Sequence, residues 1–180
     1  SGFVSDIAGN VYKTIRIGSQ TWMQDNLRTN KYNTDGEMLR IDSNTEWSGL
    51  SSPAYCWYNN TKDSSAGNLY NWYAVNTGKI CPAGWHVPSN DEWKVLFTYL
   101  EVMSELKIER LYSTRVGFLM KLAGHRNSAG EFSEQNYSGS LWSSTQGSAE
   151  TAIGWKIKYN EISTTQDPKK SGYSVRCLKD

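Results

Sequence analysis

One segment, CPAGWHVPSNDEWKVLFTYL (residues 81–100), constrains the fold more than any other part of the sequence. Ser89 is a good helix N-cap, and Glu92 follows it at the spacing of a capping box. Pro88 precedes the cap, where it interrupts no helix. The pattern predicts a main helix over residues 90–102. Apolar side chains recur on one face of it: Trp93, Leu96, Phe97, Leu100 and Met103.

A hairpin pattern stands at the start of the chain. Apolar and polar side chains alternate over residues 11–17, and Gly18-Ser19 then supplies a two-residue turn. The short run QTWM (20–23) leads back, so we predict an N-terminal β-hairpin.

The C-terminal third is typical of further strands. The runs AIGWKIKYN (152–160) and GYSVRCLKD (172–180) alternate and are predicted strands. Between them, STTQDPKK (163–170) is predicted to be a loop.

A long polar stretch, residues 30–67, is rich in turn-forming side chains, and the aromatic runs at 54–58 and 69–75 are expected to anchor it to the core. The predicted fold class is therefore α+β, with an antiparallel sheet, one main helix, an N-terminal hairpin and long loops. We expect a single domain over residues 1–180.

The composition narrows the possible partners. Lys and Arg number 19 against 18 Asp and Glu, so the chain lacks the basic excess that neutralises nucleic-acid phosphates. No apolar run approaches the roughly 20 residues of a membrane-spanning helix. The chain starts abruptly at Ser1-Gly2, which we interpret as removal of an export signal or of an upstream region. We expect neither a nucleic-acid partner nor a membrane span.

Three cysteines, Cys56, Cys81 and Cys177, accompany only two histidines. No pair of cysteines has the CxxC spacing of a zinc site, so we predict no zinc. The odd number leaves two possibilities open: one disulfide with one free thiol, or three buried thiols.

Six motifs occur in order along the chain: GNVYKTIRIGSQTWMQDNLRT (9–29), GNLYNWYAV (67–75), CPAGWHVPSNDEW (81–93), LAGHRNSAGEF (122–132), LWSST (141–145) and YSVRCLKD (173–180). Together they resemble the Fibrobacter succinogenes major paralogous domain family, whose members are exported, surface-associated bacterial proteins. The resemblance spans nearly the whole chain. It implies a single domain of this family that is displayed outside the cell, with a lipid anchor as one means of attachment.

That family in turn resembles the C-type lectin fold, which carries expectations of its own. In that fold a cysteine near the first helix pairs with one in the last strand. The resemblance therefore implies a disulfide between Cys81 and Cys177 and leaves Cys56 as a buried free thiol. The formylglycine-generating enzymes share the fold and hold copper between two reactive cysteines. Because Cys177 is committed to the last strand, we do not expect that oxidase chemistry.

Neither histidine has the surroundings of a catalytic residue. His86 lies between apolar neighbours, and we interpret it as a partly buried side chain that donates to a backbone carbonyl. His125, in a predicted turn, receives the same interpretation. No serine or cysteine stands at nucleophile spacing from either histidine, and the motif GxSxG is absent. We predict a protein that is not an enzyme.

Calcium is the cofactor that the sequence leaves open. Sugar-binding C-type lectins often bind calcium with a Glu-Pro-Asn or Gln-Pro-Asp loop and a Trp-Asn-Asp strand. This chain has QDP (166–168), in which the order is altered, and it lacks Trp-Asn-Asp. The loops NTDGE (33–37) and NNTKD (59–63) offer oxygen ligands for a structural calcium ion, although solvated turns explain them more simply. We predict no cofactor, with structural calcium as the alternative.

The tryptophans divide by their surroundings. Five are predicted to lie in the core: Trp22, Trp72, Trp85, Trp93 and Trp142. Trp47, Trp57 and Trp155 stand in polar or alternating segments and are candidates to stack on a sugar or anchor a protein partner.

The expected function is that of a non-enzymatic binding module at a bacterial cell surface. Scaffolds carry function on their connections, and by analogy with diversified C-type lectin folds we expect the binding face within about 133–170. A protein partner is the first expectation, and a glycan bound without the usual calcium motif is the alternative. The candidate contacts are Gln135, Tyr137, Trp155, Lys156, Lys158, Tyr159 and Asn160.

Overall fold

The computed structural model describes residues 2–34, 36–102, 118–158 and 161–180. The strands in these ranges are β1 (Gly2–Ser5), β2 (Val11–Ile17), β3 (Gln20–Met23), β4 (Leu39–Arg40), β5 (Ala54–Cys56), β6 (Leu69–Tyr70), β7 (Trp85–His86), β8 (Ala123–Arg126), β9 (Phe132–Gln135), β10 (Ser138–Gln146), β11 (Thr151–Lys158), β12 (Glu161–Pro168) and β13 (Leu178–Lys179). The helices there are α1 (Asn44–Ser48), α2 (Trp72–Val75), α3 (Asn90–Val102) and a single 3-10 turn, η1 (Tyr58–Asn60). None of these helices has the length and apolar character needed to cross a membrane.

The main helix α3 begins where its capping box places it. The Ser89 hydroxyl accepts a hydrogen bond from the Glu92 backbone N–H at 3.2 Å, and the Glu92 carboxylate accepts one from the Ser89 backbone N–H at 2.8 Å. These reciprocal bonds satisfy amides that the first helical turn leaves unpaired. The prediction of a helix over residues 90–102 is confirmed.

The N-terminal hairpin is also confirmed. Strands β2 and β3 pair antiparallel, with Ile17 opposite Gln20 across the turn. Gly18 has a φ of 60°, the left-handed conformation that tight hairpin turns require. Strand β1 adds to the outer edge of β2 and was not predicted.

The described strands form three sheets, whereas one antiparallel sheet was expected. Their orders are β1-β2-β3-β13-β7, β12-β11-β10-β8-β9 and β4-β5-β6. Two pairings, β4 with β5 and β10 with β8, are parallel. One additional sheet, β4-β5-β6, arises because the long polar segment after residue 30 pairs with itself and with the strand that follows it. An α+β class remains consistent with mostly β structure and one long helix.

The prediction of a loop at residues 163–170 is wrong for most of that segment. Strand β12 pairs with β11 along its full length, from Glu161 opposite Lys158 to Pro168 opposite Thr151. It is an edge strand, and edge strands tolerate polar side chains and proline because one side faces solvent. Residues 172–180, by contrast, form regular strand only at β13 and otherwise make isolated bridges.

Large aromatic rings on α3 pack between two of the sheets. We call β1-β2-β3-β13-β7 the hairpin sheet and β12-β11-β10-β8-β9 the C-terminal sheet. Trp93 lies 4.7 Å from Trp22 of β3, centroid to centroid, and stacks on Phe97 at 5.7 Å. Phe97 in turn lies 4.6 Å from Trp155 of β11. Ring pairs at these separations add to the free energy that burial itself supplies.

A disulfide joins the segment before α3 to the C-terminal segment. Cys81 and Cys177 are bonded, with their Cα atoms 5.9 Å apart, and both are buried. Cys56 is a buried free cysteine. The predicted pairing is confirmed, and of the two possibilities that the cysteine count left open, one disulfide with one free thiol is the correct one.

His86 links the last residue of the chain to the start of α3. Its Nδ1 lies 2.6 Å from Asp180 Oδ1, and its Nε2 lies 3.0 Å from Glu92 Oε1. The expected partner was a backbone carbonyl, so that expectation is wrong. Burial opposes charging of the ring, but the two carboxylates outweigh it and raise the pKa of His86 above 6.5.

This arrangement predicts a pH dependence of stability. Because the folded-state pKa is raised, protonated His86 stabilises the fold fully below the unfolded-state pKa, and the effect is lost as pH rises through the folded-state pKa. The side chain is half-exposed, so we expect less than about 1 kcal/mol. Urea unfolding of the wild type and His86→Gln at about pH 5.5 and about pH 8.5 measures it. The stability difference between the two proteins should be larger at the acidic pH, and an equal or reversed difference contradicts the assignment.

Candidate functional site

Charged side chains gather on one face of the C-terminal sheet. Side chains alternate along β11: Trp155 and Ile157 belong to the buried cluster around α3, whereas Lys156 and Lys158 stand on the opposite face. We call this opposite face the Glu134 surface. It is formed by His125, Glu134, Tyr137, Lys156 and Lys158.

The backbone at the end of β9 is strained where this surface is built. Glu134 and Asn136 both have a φ of 66°, a region that residues other than glycine seldom adopt. A hydrogen bond from the Tyr137 N–H to the Glu134 carbonyl closes the turn at 3.0 Å. On the neighbouring strand, a Cβ at Gly124 would lie 2.4 Å from the Ser133 carbonyl oxygen. The close approach of β8 and β9 therefore depends on glycine at position 124.

Glu134 is the centre of a hydrogen-bonded group. Its Oε2 lies 2.7 Å from Lys156 Nζ and accepts a hydrogen bond from Ser138 Oγ, also at 2.7 Å. Burial opposes ionisation of the carboxyl, but these two bonds outweigh it and lower the pKa of Glu134. At neutral pH the group is a carboxylate paired with an ammonium.

His125 lies beside this ion pair and is held neutral. Burial and the positive charge of Lys156 lower its pKa from 6.5. Its ring meets the Tyr173 ring edge-on, with centroids 5.8 Å apart. Burial also raises the pKa of Tyr173, and the neighbouring Asp167 carboxylate raises it further. Both rings are therefore uncharged hydrogen-bonding groups at neutral pH.

Ser133 stands next to His125, which the sequence spacing did not indicate. Its Oγ lies 3.3 Å from His125 Nε2, and Glu134 Oε2 lies 3.6 Å from His125 Nδ1. The second distance exceeds a hydrogen bond, and that carboxylate oxygen is already bonded to Lys156 and Ser138. The three residues adjoin one another without the bonded chain that activates a serine nucleophile.

A comparison with protein families identifies the chain. The model of the Fibrobacter succinogenes major domain family matches residues 15–179, almost the entire length. The chain belongs to this family. No protein with a curated description and no solved structure matches it.

Two predicted contacts of this Fibrobacter succinogenes major domain lie on the Glu134 surface in exposed or paired positions. Tyr137 is 79% exposed, and Lys156 forms the ion pair with Glu134. Lys158 is half-buried on the same face, opposite Ser138 and Glu161.

The remaining predicted contacts differ in their outcomes. Gln135 is half-buried at the end of β9, opposite Ala123. Trp155 is only 8% exposed and donates from Nε1 to Asn90 Oδ1. It faces the core because it alternates with Lys156, so its indole does not reach the Glu134 surface. Tyr159 and Asn160 lie outside the described residues.

Three residues that form or support the Glu134 surface were not predicted from the sequence. They are His125, Glu134 and Ser138. His125 had been interpreted as a structural residue in a turn, yet it lies in β8. The polar run SEQNYS (133–138) is the sequence signal that could have indicated Glu134 and Ser138, and no comparable signal marks His125.

The other tryptophans of this family member follow the prediction in part. Four of the five expected core residues are buried: Trp22, Trp72, Trp93 and Trp142. Trp85, the fifth, is half-exposed. Among the ligand candidates, Trp47 is buried and Trp57 is half-exposed.

Metal ligands do not converge in the described part of the domain. No group of three or more His, Cys, Asp or Glu side chains among those residues could hold a metal ion. Asp35, in one of the two loops considered for calcium, lies outside the described residues.

Proposed function

We propose that this domain is a non-enzymatic module that binds a protein partner at the bacterial cell surface through the Glu134 surface. The observation that carries the proposal is the Glu134–Lys156 ion pair, which a strained turn presents beside the highly exposed Tyr137. An exposed tyrosine next to fixed charges is typical of a protein-binding hot spot.

The composition of the surface favours a protein over a neutral sugar. Neutral sugars are commonly stacked on an exposed tryptophan, and the tryptophan expected here, Trp155, is buried, while the exposed ring of Tyr137 stands beside fixed charges. Charges of both signs stand close together instead, with Lys158 directly opposite Glu161. Alternating charges give register and partner discrimination in protein interfaces.

The non-enzymatic part of the proposal is supported by the cluster's bonding. Glu134 binds Lys156 and Ser138 and leaves His125 without a short carboxylate contact. Cys56, the free thiol, is buried, and burial raises its pKa to about 12, so it is no nucleophile at neutral pH.

We further infer an exported, surface-displayed domain with a C-type lectin-like fold. The disulfide between Cys81 and Cys177 supports export, because such bonds persist in oxidising compartments. The fold inference is supported by one main helix whose preceding segment is tied to the C-terminal segment, and by long loops held on that framework.

Photocrosslinking tests the proposed function. p-Benzoyl-phenylalanine is placed at Tyr137, and in a matched control at Tyr99, which is exposed on α3. After irradiation with the cell envelope of the bacterium that encodes the chain, position 137 should give a discrete protein adduct that excess unmodified domain competes away. Lys156→Met should reduce the adduct at least about fivefold.

The control position and the competitor decide the outcome. Adducts of equal yield at positions 137 and 99, or adducts that excess domain does not reduce, contradict a specific surface. Absence of any protein adduct at position 137 also contradicts the proposal.

A further inference from the structure

A second surface feature, separate from the Glu134 surface, is a cleft of about 290 Å³ beside Trp57. We call it the Trp57 cleft, and it shares no lining residue with the Glu134 surface. Four segments build it: the turn before β2, the chain after β3, β5 with the residue that follows it, and the loop before β6. The lining residues that matter here are Arg28, Asn30, Tyr55, Trp57, Lys62 and Asp63.

The charge balance of the Trp57 cleft is positive. Arg28 and Lys62 contribute two cations, and no carboxylate in the described part of the chain lies within 4 Å of either. Asp63 is the one acidic residue in the lining, but its Oδ1 accepts hydrogen bonds from the Ser65 N–H and hydroxyl at 2.8 and 2.7 Å. These bonds lower the pKa of Asp63 and hold the carboxylate to its own turn. Lys62 Nζ lies 6.0 Å from the Trp57 ring centroid, so an anionic group would find, beside the indole, two cations that no nearby carboxylate neutralises.

Arg28 is fixed in position before any ligand arrives. Its Nη2 donates to the Val11 carbonyl at 2.6 Å, and its guanidinium lies 4.5 Å above the Tyr12 ring. One edge of the guanidinium is thereby held, and its remaining N–H groups are available as donors. A cation ordered in this way loses little entropy when it binds an anion.

The aromatic side chains in the Trp57 cleft suit a saccharide. Trp57 is half-exposed, and the Arg40 guanidinium lies 4.3 Å from its ring centroid and supports the indole. Tyr55 lies on the cleft lining, and its hydroxyl makes no hydrogen bond to the described residues. Sugar hydroxyls, which provide both donors and acceptors, can bond it there. The Asn30 amide, also on the lining, adds a donor and an acceptor.

We propose that the Trp57 cleft binds an acidic saccharide whose charge is a carboxylate, that is, a uronate-containing oligosaccharide. The ring of one sugar lies against Trp57, its hydroxyls bond Tyr55 and Asn30, and its carboxylate meets Arg28 and Lys62. A neutral saccharide leaves both cations without a partner, and an acidic peptide leaves the indole and the free hydroxyl unused. This site goes beyond the protein-binding function and does not depend on it.

Calorimetry and NMR test the site with defined probes: oligogalacturonate, its fully methyl-esterified form, and tetrasaccharides of alginate and hyaluronan. At least one uronate probe should bind with saturation and shift the indole N–H signal of Trp57, which is assigned as the signal lost in Trp57→Phe. For an oligogalacturonate ligand the ester should bind at least about tenfold more weakly, the loss expected for one charged hydrogen bond. Lys62→Met should weaken binding of the uronate similarly, whereas Lys94→Met, which removes the same charge on α3, should leave it unchanged.

Several results overturn the proposal. They are no saturable binding of any uronate probe up to about 10 mM, equal losses in Lys62→Met and Lys94→Met, and a shift that spares the Trp57 signal. A hexaglutamate peptide that binds as tightly as the best uronate probe overturns the saccharide assignment, since charge alone would then explain binding. Thermal unfolding of each variant confirms that the fold is intact.

Discussion

Replacing Arg126 with methionine is expected to lower the free energy of unfolding by about 3 kcal/mol or more. Arg126 is completely buried, and its guanidinium holds the segment around residues 41–42 against the C-terminal sheet. Nη1 donates to the Ile41 carbonyl at 2.7 Å, and Nη2 donates to the Asp42 carbonyl at 2.8 Å. Methionine fills similar space without donating, so these acceptors lose their donors inside the protein. Each such loss costs about 1–3 kcal/mol.

The stacking of this guanidinium makes lysine a poor substitute. The Arg126 guanidinium lies 4.5 Å from the Trp47 ring centroid and 4.7 Å from that of Phe132. Its Nε also donates to the Gly130 carbonyl at 2.8 Å. A planar group with five donors satisfies this geometry, and an ammonium does not. Arg126→Lys should therefore recover little of the lost stability.

Urea unfolding measures this prediction against a matched control. Arg16→Met makes the same change at an exposed position, where Nε donates to the Gly18 carbonyl at 3.2 Å, so its effect should stay within about 0.5 kcal/mol. Cys56 supplies a local measurement, because its thiol is buried beside Arg126 and reaches an alkylating agent when this part of the fold opens. Alkylation of Cys56 under native conditions should become faster in Arg126→Met. Equal stabilities of the two methionine variants contradict the assigned role.

Removing the disulfide is expected to cost up to about 4 to 5 kcal/mol. Cys81 and Cys177 are separated by 96 residues, so the bond closes a long loop and restricts the unfolded chain strongly. The paired change Cys81→Ser with Cys177→Ser, or full reduction of the wild type, should therefore shift the urea midpoint to much lower concentration. The chain-entropy relation gives an upper value, because residual structure in the unfolded state reduces the gain.

The free cysteine provides the control for the disulfide prediction. Cys56→Ser keeps the bond, so that variant should still lose stability when a reductant is added. The doubly substituted protein should show no response to the reductant. A wild-type stability that is unchanged after complete reduction, verified by mass spectrometry, contradicts the prediction.

Local patterns predicted the elements that local interactions determine. The capping box of Ser89 and Glu92 and the turn at Gly18 specify their elements within a few residues, and both were placed correctly. Strand β12 was missed because an edge strand needs no apolar alternation. Strand β12 forms by pairing with β11, and the pattern within residues 163–170 does not indicate that pairing.

The buried arginine shows what sequence patterns leave out. Arg126 lies 84 and 85 residues from the carbonyls of Asp42 and Ile41 that it binds. Nothing near it in the sequence indicates that an arginine there is buried, because the acceptors come from a distant loop. Trp47, expected in a polar surface segment, is buried beneath the same guanidinium for the same reason.

The contacts predicted from the sequence include part of the Glu134 surface. Tyr137 and Lys156 were named from the expected binding face, and both lie on the Glu134 surface. Glu134 and His125 were not, because their convergence depends on the left-handed turn and on the close approach of β8 and β9. Trp155, named with Lys156 as a candidate contact, lies on the opposite face of β11, where its ring contacts Phe97 of α3.

Hydrogen exchange on the crosslinked complex tests the central claim most directly, namely that the Glu134 surface receives a protein partner. Mass spectrometry compares the free domain with the complex captured through position 137. Binding should slow exchange in peptides covering residues 132–138 and 161–168, while α3 exchanges at the same rate in both states. Slowed exchange confined to residues 54–66, or to α3, would place the partner elsewhere and contradict the claim.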